Sequence, residues 1–450
     1  MLSEIEIRRL RYKTKDLIAT DMISYNTIKL RTDLLFRSLR HRNFRLFFIG
    51  QGISLIGTWM QQIAMIWLVY SITGSAFLLG VVAFSAQLPV FIISPFAGVF
   101  ADRWNRRRLL VFEQSVAMTQ ALVLALLTLT NTITVWHIVV LGVLLGIVNS
   151  IDMPVRQSFM IEMIGNREDL ANAIALNSSL VNSARLIGPT IAGIIVAAFG
   201  EGICFLLNGL SFIAVIIALL KMNVTERAHT HEEHHVIKKL HEGFLYVSRF
   251  RPIRSILLLL ALISLMGVQP VLMPVFVKDV LHGGPHTFGF LMAALGLGAL
   301  TGAVYLASRK SVAGLGKRIA YAAGTFGAGL IALSAINVFW LAEVCMYLTG
   351  LGMMVQMASS NSILQTISDD DKRGRVMSFY VMAFMGMAPF GSFLAGSLAT
   401  TIGVQWTLFF DGVVCLSGAL LFARDLPEIR KILHPIYVRM GIISDMPSET

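Results

Sequence analysis

G-V-F-A-D-R-W-N-R-R-R, residues 98–108, sets one acid, Asp102, and four arginines between two apolar runs. Each run, residues 76–101 and 109–130, is long enough to cross a bilayer, whose hydrocarbon core of about 30 Å asks about 20 apolar residues of a helix. The stretch is therefore a short polar turn at a membrane face, and its arginines report which face.

The whole chain agrees with that reading. Of 450 residues, 56% are hydrophobic and only 14% are charged, whereas charged residues make up about a quarter of a soluble protein. With a mean hydropathy of +0.72, the composition implies an all-α membrane protein of many spans. The net charge of +11 does not point to nucleic acid, because the basic residues sit in short loops between apolar runs and act as orientation signals. Cys204, Cys345 and Cys415 all fall inside apolar stretches and form no CxxC pair, so no metal, cofactor or redox framework is expected. Residues 1–37 are of mixed charge and lack the apolar core of a secretory signal, which leaves the first span to act as an uncleaved insertion signal. Met22 precedes the basic cluster Arg37, Arg40, Arg42 and Arg45 as an alternative start.

Apolar runs fall at 44–71, 76–101, 109–130, 134–157, 171–198, 201–221, 253–280, 287–308, 317–335, 338–367, 375–400 and 403–424. Twelve spans are thus predicted. Alternate placement of the loops gives one side almost all of the lysine and arginine, from Arg37 to Arg45, Arg103 to Arg108, Arg156 and Arg167, Lys221 to Arg254, Arg309 to Arg318, Lys372 to Arg375 and onward from Arg424. Turns near Thr73, Thr132, Gly200, Gly284, Asn337 and Gly403 fall on the other side, where Lys278 is the nearest exception. So asymmetric a division predicts that both termini and the central loop are cytoplasmic. The long polar segment divides the chain into a tail (1–37), a first six-span half (38–221), a linker (222–252), a second six-span half (253–424) and a second tail (425–450). Gly188-Pro189 with Gly193 is echoed by Pro389 with Gly391 and Gly396 about 200 positions later, a weak internal repeat of the kind that marks transporters with a mid-membrane site between two halves.

The run Gly98-x-x-x-Asp102-Arg103-x-x-Arg106-Arg107 resembles the signature loop of the major facilitator superfamily, and the resemblance extends over the chain from residue 38 onward. The stretch Asp152-Met-Pro154-Val-Arg156-Gln157, with Glu168-Asp169-Leu170-x-Asn172-Ala173, Asn177 and Arg185-Leu-Ile-Gly188-Pro189, is similar to the bacterial exporters that include enterobactin exporters and macrolide efflux proteins. The resemblance implies two pseudo-symmetric six-helix bundles, alternating access, a bacterial inner membrane and a monomer whose partners are a small amphipathic substrate, a proton or other coupling ion, and lipid. Two departures stand out. Asn105 replaces the loop's usual glycine, which asparagine's tolerance of left-handed backbone would accommodate. Gly142 replaces an arginine that the family often ties to proton coupling.

By that resemblance Gly98, Asp102, Arg103, Arg106 and Arg107 form a gate, with Asp102 pairing arginines of its own loop and facing the amino end of the eleventh span. The alternative is that the arginines set topology alone. Arg185, midway along the fifth span, costs about 2.5–3.5 kcal/mol to insert and so should face the interior. Two roles are open to it: a substrate anchor, or a partner for Asp152 or Glu162. The family's cavity is lined mainly by spans one, four, seven and ten, which offer Gln51, Ser54, Thr58, Gln61, Gln62, Asn149, Gln269, Gln356, Asn361 and Gln365. These groups face inward, because lipid cannot satisfy them, and they either touch substrate or bind helices together. Met353, Met354, Met357, Met382, Met385 and Met387 are either an adaptable apolar wall or ordinary packing. Asp152, Glu343 and Asp411 are the candidate proton carriers. His231-Glu232-Glu233-His234-His235 matches the H-E-x-x-H zinc-peptidase pattern, but it lies in the polar linker and reads as a solvated segment. No phosphate-binding G-x-x-x-x-G-K-[ST] run is present, so a gradient must drive transport. Expected function is export of a siderophore or drug, with import or lipid transport on the same fold as alternatives and a membrane peptidase as the rival of another class.

Overall fold

The computed structural model describes residues 36–164, 167–223, 244–267, 269–309, 311–369 and 372–442. The polar histidine loop and the first tail up to residue 35 lie outside the described residues. Twelve long helices occur among the described residues: α1 (Arg42–Thr73), α2 (Ala76–Arg103), α3 (Arg106–Leu129), α4 (Val135–Ile164), α5 (Arg167–Phe199), α6 (Glu201–Lys221), α7 (Arg251–Asp279), α8 (Pro285–Ala307), α9 (Leu315–Ser334), α10 (Phe339–Ile367), α11 (Arg373–Ile402) and α12 (Val404–Arg439). Eleven are apolar enough to cross a membrane, and α9 falls short only because Lys317 and Arg318 sit in its first turn. The chain is a multi-pass membrane protein. One boundary differs markedly from expectation: α12 does not end near Arg424 but continues to Arg439, where Asp425 accepts from Arg251 and, at 2.8 Å, from Ser255 Oγ.

Local chemistry explains the turns. Gly74 ends α1 in the left-handed region (φ 61°), its N–H donating to the Tyr70 carbonyl at 2.9 Å, and Ser75 then caps α2. Gly200 (φ 81°, ψ 170°) joins α5 to α6, and Gly403 (φ 84°, ψ 158°) joins α11 to α12. Corresponding turns in the two halves therefore share one backbone conformation that only glycine adopts without strain.

Packing repeats in the same way. In the first half α1 lies on α6, α2 on α4, and α3 on α4 and α6; in the second, α7 lies on α12, α8 on α10, and α9 on α10 and α12. Between halves the principal seams are α5 on α8 and α2 on α11, again related by the repeat. Both seams are tightest at the arginine-poor end. A Cβ added at Gly289 would meet the Pro189 carbonyl oxygen at 2.7 Å, and one at Gly80 would meet that of Ser392 at 2.7 Å. An aromatic ladder lines the α2–α11 seam, with Phe77, Phe84 and Phe91 set against Phe390 and Phe393 at ring separations of 5.6 to 5.9 Å.

The Gly98–Arg108 stretch folds as helix, a two-residue break at Trp104 and Asn105, then helix. Asn105 is extended (φ −61°, ψ 113°) and caps α3 by accepting from the Arg108 N–H at 2.9 Å. Asparagine stands here because it is a good N-cap, and the left-handed tolerance anticipated from sequence is not used.

The E-D-L-x-N stretch ties the start of α1 to the start of α5. Asp169 pairs with Arg37 at 3.1 Å and with His41 at 2.8 Å, while Asn172 accepts from the Ser38 hydroxyl at 2.8 Å. Asp169→Ala is expected to cost about 1 kcal/mol, because these contacts are partly solvated. Thermal unfolding of the purified protein checks this as a lowered Tm.

Candidate functional site

Two helices of the second half are discontinuous where they meet the centre of the molecule. α7 breaks at Gly267, just before Pro270. α11 contains a π-helical stretch, Met382–Gly386, immediately before Pro389, and proline's missing N–H favours such a disruption. The Ser264 hydroxyl of α7 donates to the Phe384 carbonyl in that stretch, so a backbone group freed by the bulge is satisfied from the neighbouring helix.

Between the halves lies a cavity of about 1530 Å³, larger than the roughly 300–1,000 Å³ of a drug-sized site. The seams described above close it at the arginine-poor end. There the Tyr70 hydroxyl donates to Asp279 Oδ2 at 2.7 Å, Lys278 stands 5.3 Å over the Tyr70 ring, and Trp67 stacks on Phe288 at 6.0 Å. The lining continues the other way to Arg156, Gln157, Gly374 and Arg375 at the arginine-rich end.

The cavity gathers Gln51, Ser54, Thr58, Gln61, Gln62, Asn149, Asp152, Arg185 and Gln356. Their surroundings differ. Gln61 is buried in a network inside the first half, donating to Gln120 Oε1 at 3.0 Å and accepting from Asn208 Nδ2 at 2.8 Å, which is the bonding pattern of interhelical glue. Gln62 and Asn149 are exposed to the cavity. Thr58 donates to the Ser54 carbonyl at 2.9 Å, and Gln356 donates to Ser360 Oγ at 3.4 Å. Asn361 and Gln365 bond to each other on α10, and they lie away from the lining. The side chain of Gln269 lies outside the described residues. Of the methionines, Met353, Met382 and Met385 face the cavity, whereas Met354 is buried in packing.

Arg185 pairs with neither carboxylate anticipated for it. Asp152 is ion-paired with Arg156, and Glu162 with Arg106. The Arg185 guanidinium instead stands 5.0 Å over the Trp59 ring, a cation–π contact that holds the cation without neutralising it. Among the described residues lining the cavity, the charged side chains are Arg156, Arg185 and Arg375 against one acid, Asp152. Of the other two candidate proton carriers, Asp411 is buried on α12 and Glu343 sits near the start of α10, and neither lines the cavity.

Of the gate residues, the side chains of Gly98, Asp102 and Arg103 lie outside the described residues. Arg106 reaches Glu162 on α4, and Arg107 donates to the Leu219 carbonyl at 2.7 Å and the Leu220 carbonyl at 2.6 Å, at the end of α6. A cation on the last carbonyls of a helix complements its dipole. Both contacts stay inside the first half.

Sequence reasoning passed over Glu113 on α3. It is 2% exposed, and neither carboxylate oxygen has a hydrogen-bond partner among the described residues. The available signal was an acid within the apolar run 109–130.

Residues 35–435 match the family described as Transmembrane secretion effector. The Staphyloferrin A transporter of Staphylococcus aureus is 27% identical over 84% of this chain and 95% of its own. The multidrug efflux pump Tap of Mycolicibacterium fortuitum is 24% identical over 85% of this chain and 93% of its own. Among solved structures, a bacterial homologue of the iron transporter ferroportin, in an inward-facing state, superimposes with a TM-score of 0.68 at 16% identity, over 85% of this chain and 98% of that one.

Proposed function

The chain belongs to the Transmembrane secretion effector family of major facilitator transporters, which are not enzymes, and from that premise we propose that it exports an anionic amphipathic small molecule of the siderophore kind. The observation that carries the substrate class is Arg185, a cation within the membrane that faces the cavity with an aromatic ring and, among the described residues, no carboxylate against it. A cation at that depth is costly without a counter-ion, and a substrate carboxylate would supply one. The lining, with three arginines against one aspartate among the described residues, is net positive and disfavours the cationic drugs that many efflux pumps carry. The relative that handles a siderophore and the one that handles drugs make the same two substrate classes the ones to compare.

The arginine-rich end is the cytoplasmic one in this reading, with both termini there, in the inner membrane of a bacterium. A cavity closed by the Tyr70–Asp279 contact and the glycine seams then corresponds to the inward-facing state, ready to load from the cytoplasm. Transport is by rocking of residues 38–221 against 253–424, with the Asp102 loop closing the cytoplasmic side in the opposite state. The cavity is complete within one chain, which supports a monomer. A proton gradient supplies the energy, and of the acids within spans Asp152 is the one placed on the cavity wall.

The test is uptake by inside-out vesicles, in which export appears as accumulation. Staphyloferrin A and the cationic dye ethidium, each offered with an imposed proton gradient, give opposite answers. Accumulation of the anion alone is expected. Accumulation of ethidium alone would overturn the substrate class, and accumulation only in right-side-out vesicles would overturn the direction.

A further inference from the structure

Behind the cavity wall, the packed helices α3 and α4 carry two carboxyl groups and one guanidinium. Asp152 lines the cavity, is ion-paired with Arg156, and accepts from Gln114 Nε2 at 3.3 Å. Glu113 precedes Gln114 on α3 but stands apart from the lining, with both oxygens buried and unpartnered among the described residues. Arg156 Nε and Gln114 Oε1 are buried without partners as well. Four of the unsatisfied buried polar atoms of the described residues are therefore concentrated at one spot.

Such a concentration is costly, because a buried polar group without a partner forfeits its hydration. It is also asymmetric. Asp152 accepts from the Arg156 guanidinium and from Gln114, whereas Glu113 accepts from no described residue. The helices packed on α3 carry His137, Asp152, Arg156 and Glu162 on α4, and Glu201 and Lys221 on α6. Arg106 to Arg108 form the first turn of α3 itself, five to seven residues before Glu113, where Arg106 is occupied by Glu162 and Arg107 by the end of α6. Among the described residues Arg156 is bonded to Asp152 alone, and its Nε is buried without a partner.

We propose that Glu113 is a proton-binding site that couples transport, with Arg156 exchanging Asp152 for Glu113 as the proton moves between the two carboxyl groups. This rests on the gradient-driven transport proposed above. In one state of this cycle Glu113 carries the proton while Arg156 is on Asp152, the pairing seen here. When Arg156 swings to Glu113, the Glu113 O–H bond breaks and an O–H bond forms on Asp152, so that the charge of the three groups together does not change. Asp152, on the cavity wall, then gives its proton to water in whichever compartment the cavity faces. Reloading runs the same steps in reverse from the other compartment.

Infrared spectroscopy of the purified full chain in lipid nanodiscs tests the site without any substrate. A protonated-carboxyl band in a dry environment is expected at neutral pH in the natural protein and in Asp411→Asn and Glu343→Gln, and it should be lost in Glu113→Gln. Asp152→Asn should retain it. Persistence of the full band in Glu113→Gln would overturn the proposal, and since glutamine has the same shape, a matching Tm shows that the comparison is of folded proteins. In proteoliposomes, staphyloferrin A accumulation driven by a pH gradient should fall in Glu113→Gln to the leak of empty vesicles; accumulation equal to the natural protein's would also overturn it. Failure of the natural protein to move staphyloferrin A bears on the transport reading alone, because the band still reports on Glu113.

Discussion

Arg185→Ala should raise KM for an anionic substrate by about 10- to 100-fold, because a hydrogen bond to a charged group contributes roughly 1.5–3 kcal/mol. Among the described residues the guanidinium has no salt bridge to lose on mutation, and the Trp59 ring is the contact seen beside it. Folding should change little, since removal of a cation from the membrane interior relieves its insertion cost. Arg185→Lys keeps the charge but not the planar fork or its stacking on Trp59, and an intermediate KM is expected. Initial rates in inside-out vesicles, normalised to the amount of inserted protein, provide the comparison. Equal KM for all three proteins would remove Arg185 from substrate binding and leave the substrate class without its main support.

Gly289→Leu should have the other large effect, on the balance between states. A first side-chain carbon there would stand 2.7 Å from the Pro189 carbonyl oxygen and 2.8 Å from Gly193 Cα, so α5 and α8 must part at the arginine-poor end. Overpacking of this kind costs about 1–3 kcal/mol. If that cost falls only on the state with this end closed, it shifts the population toward the opposite one by about 5- to 150-fold. Export should collapse, and a cavity cysteine at Gln62 should become reactive from the outside. Gly396→Leu makes the same prediction for the α2–α11 seam, where a first side-chain carbon would fall 2.5 Å from the Ala76 carbonyl oxygen. The two seams are separate, so the pair of substitutions should combine additively. Unchanged export in the double variant would show that the seams do not need to be tight.

Those seams illustrate what the sequence made legible. Apolar run lengths and the one-sided arginines sufficed for twelve helices and two halves, because a bilayer imposes both constraints on any sequence that crosses it. The Gly188-Pro189 and Pro389 echo marked the two inter-half helices but not their partners, since the glycines Gly80 and Gly289 look like any small residues in an apolar run. Phe77, Phe84 and Phe91 recur every seven residues, a period that announces a common helix face without saying what it meets. The inward amides were recognisable as inward, yet sequence spacing does not distinguish Gln61, locked to Gln120 and Asn208, from Gln62, which faces the cavity. Glu113 escaped because single acids within long apolar runs are diluted by any windowed average, and its significance arises only when folding buries both of its oxygens without a partner among the described residues. The continuation of α12 to Arg439 was hidden because a polar amphipathic end carries no membrane signal.

Paired spin labels at the two ends of the molecule measure the central claim directly. Distances between Thr73 and Gly283 at the arginine-poor end, and between Trp104 and Asp369 at the other, are read in nanodiscs with and without staphyloferrin A and across a change of pH. Reciprocal changes are predicted, with the first distance lengthening as the second shortens. Distances at the two ends that stay fixed, or that lengthen and shorten together, would contradict a cavity that opens to one compartment at a time.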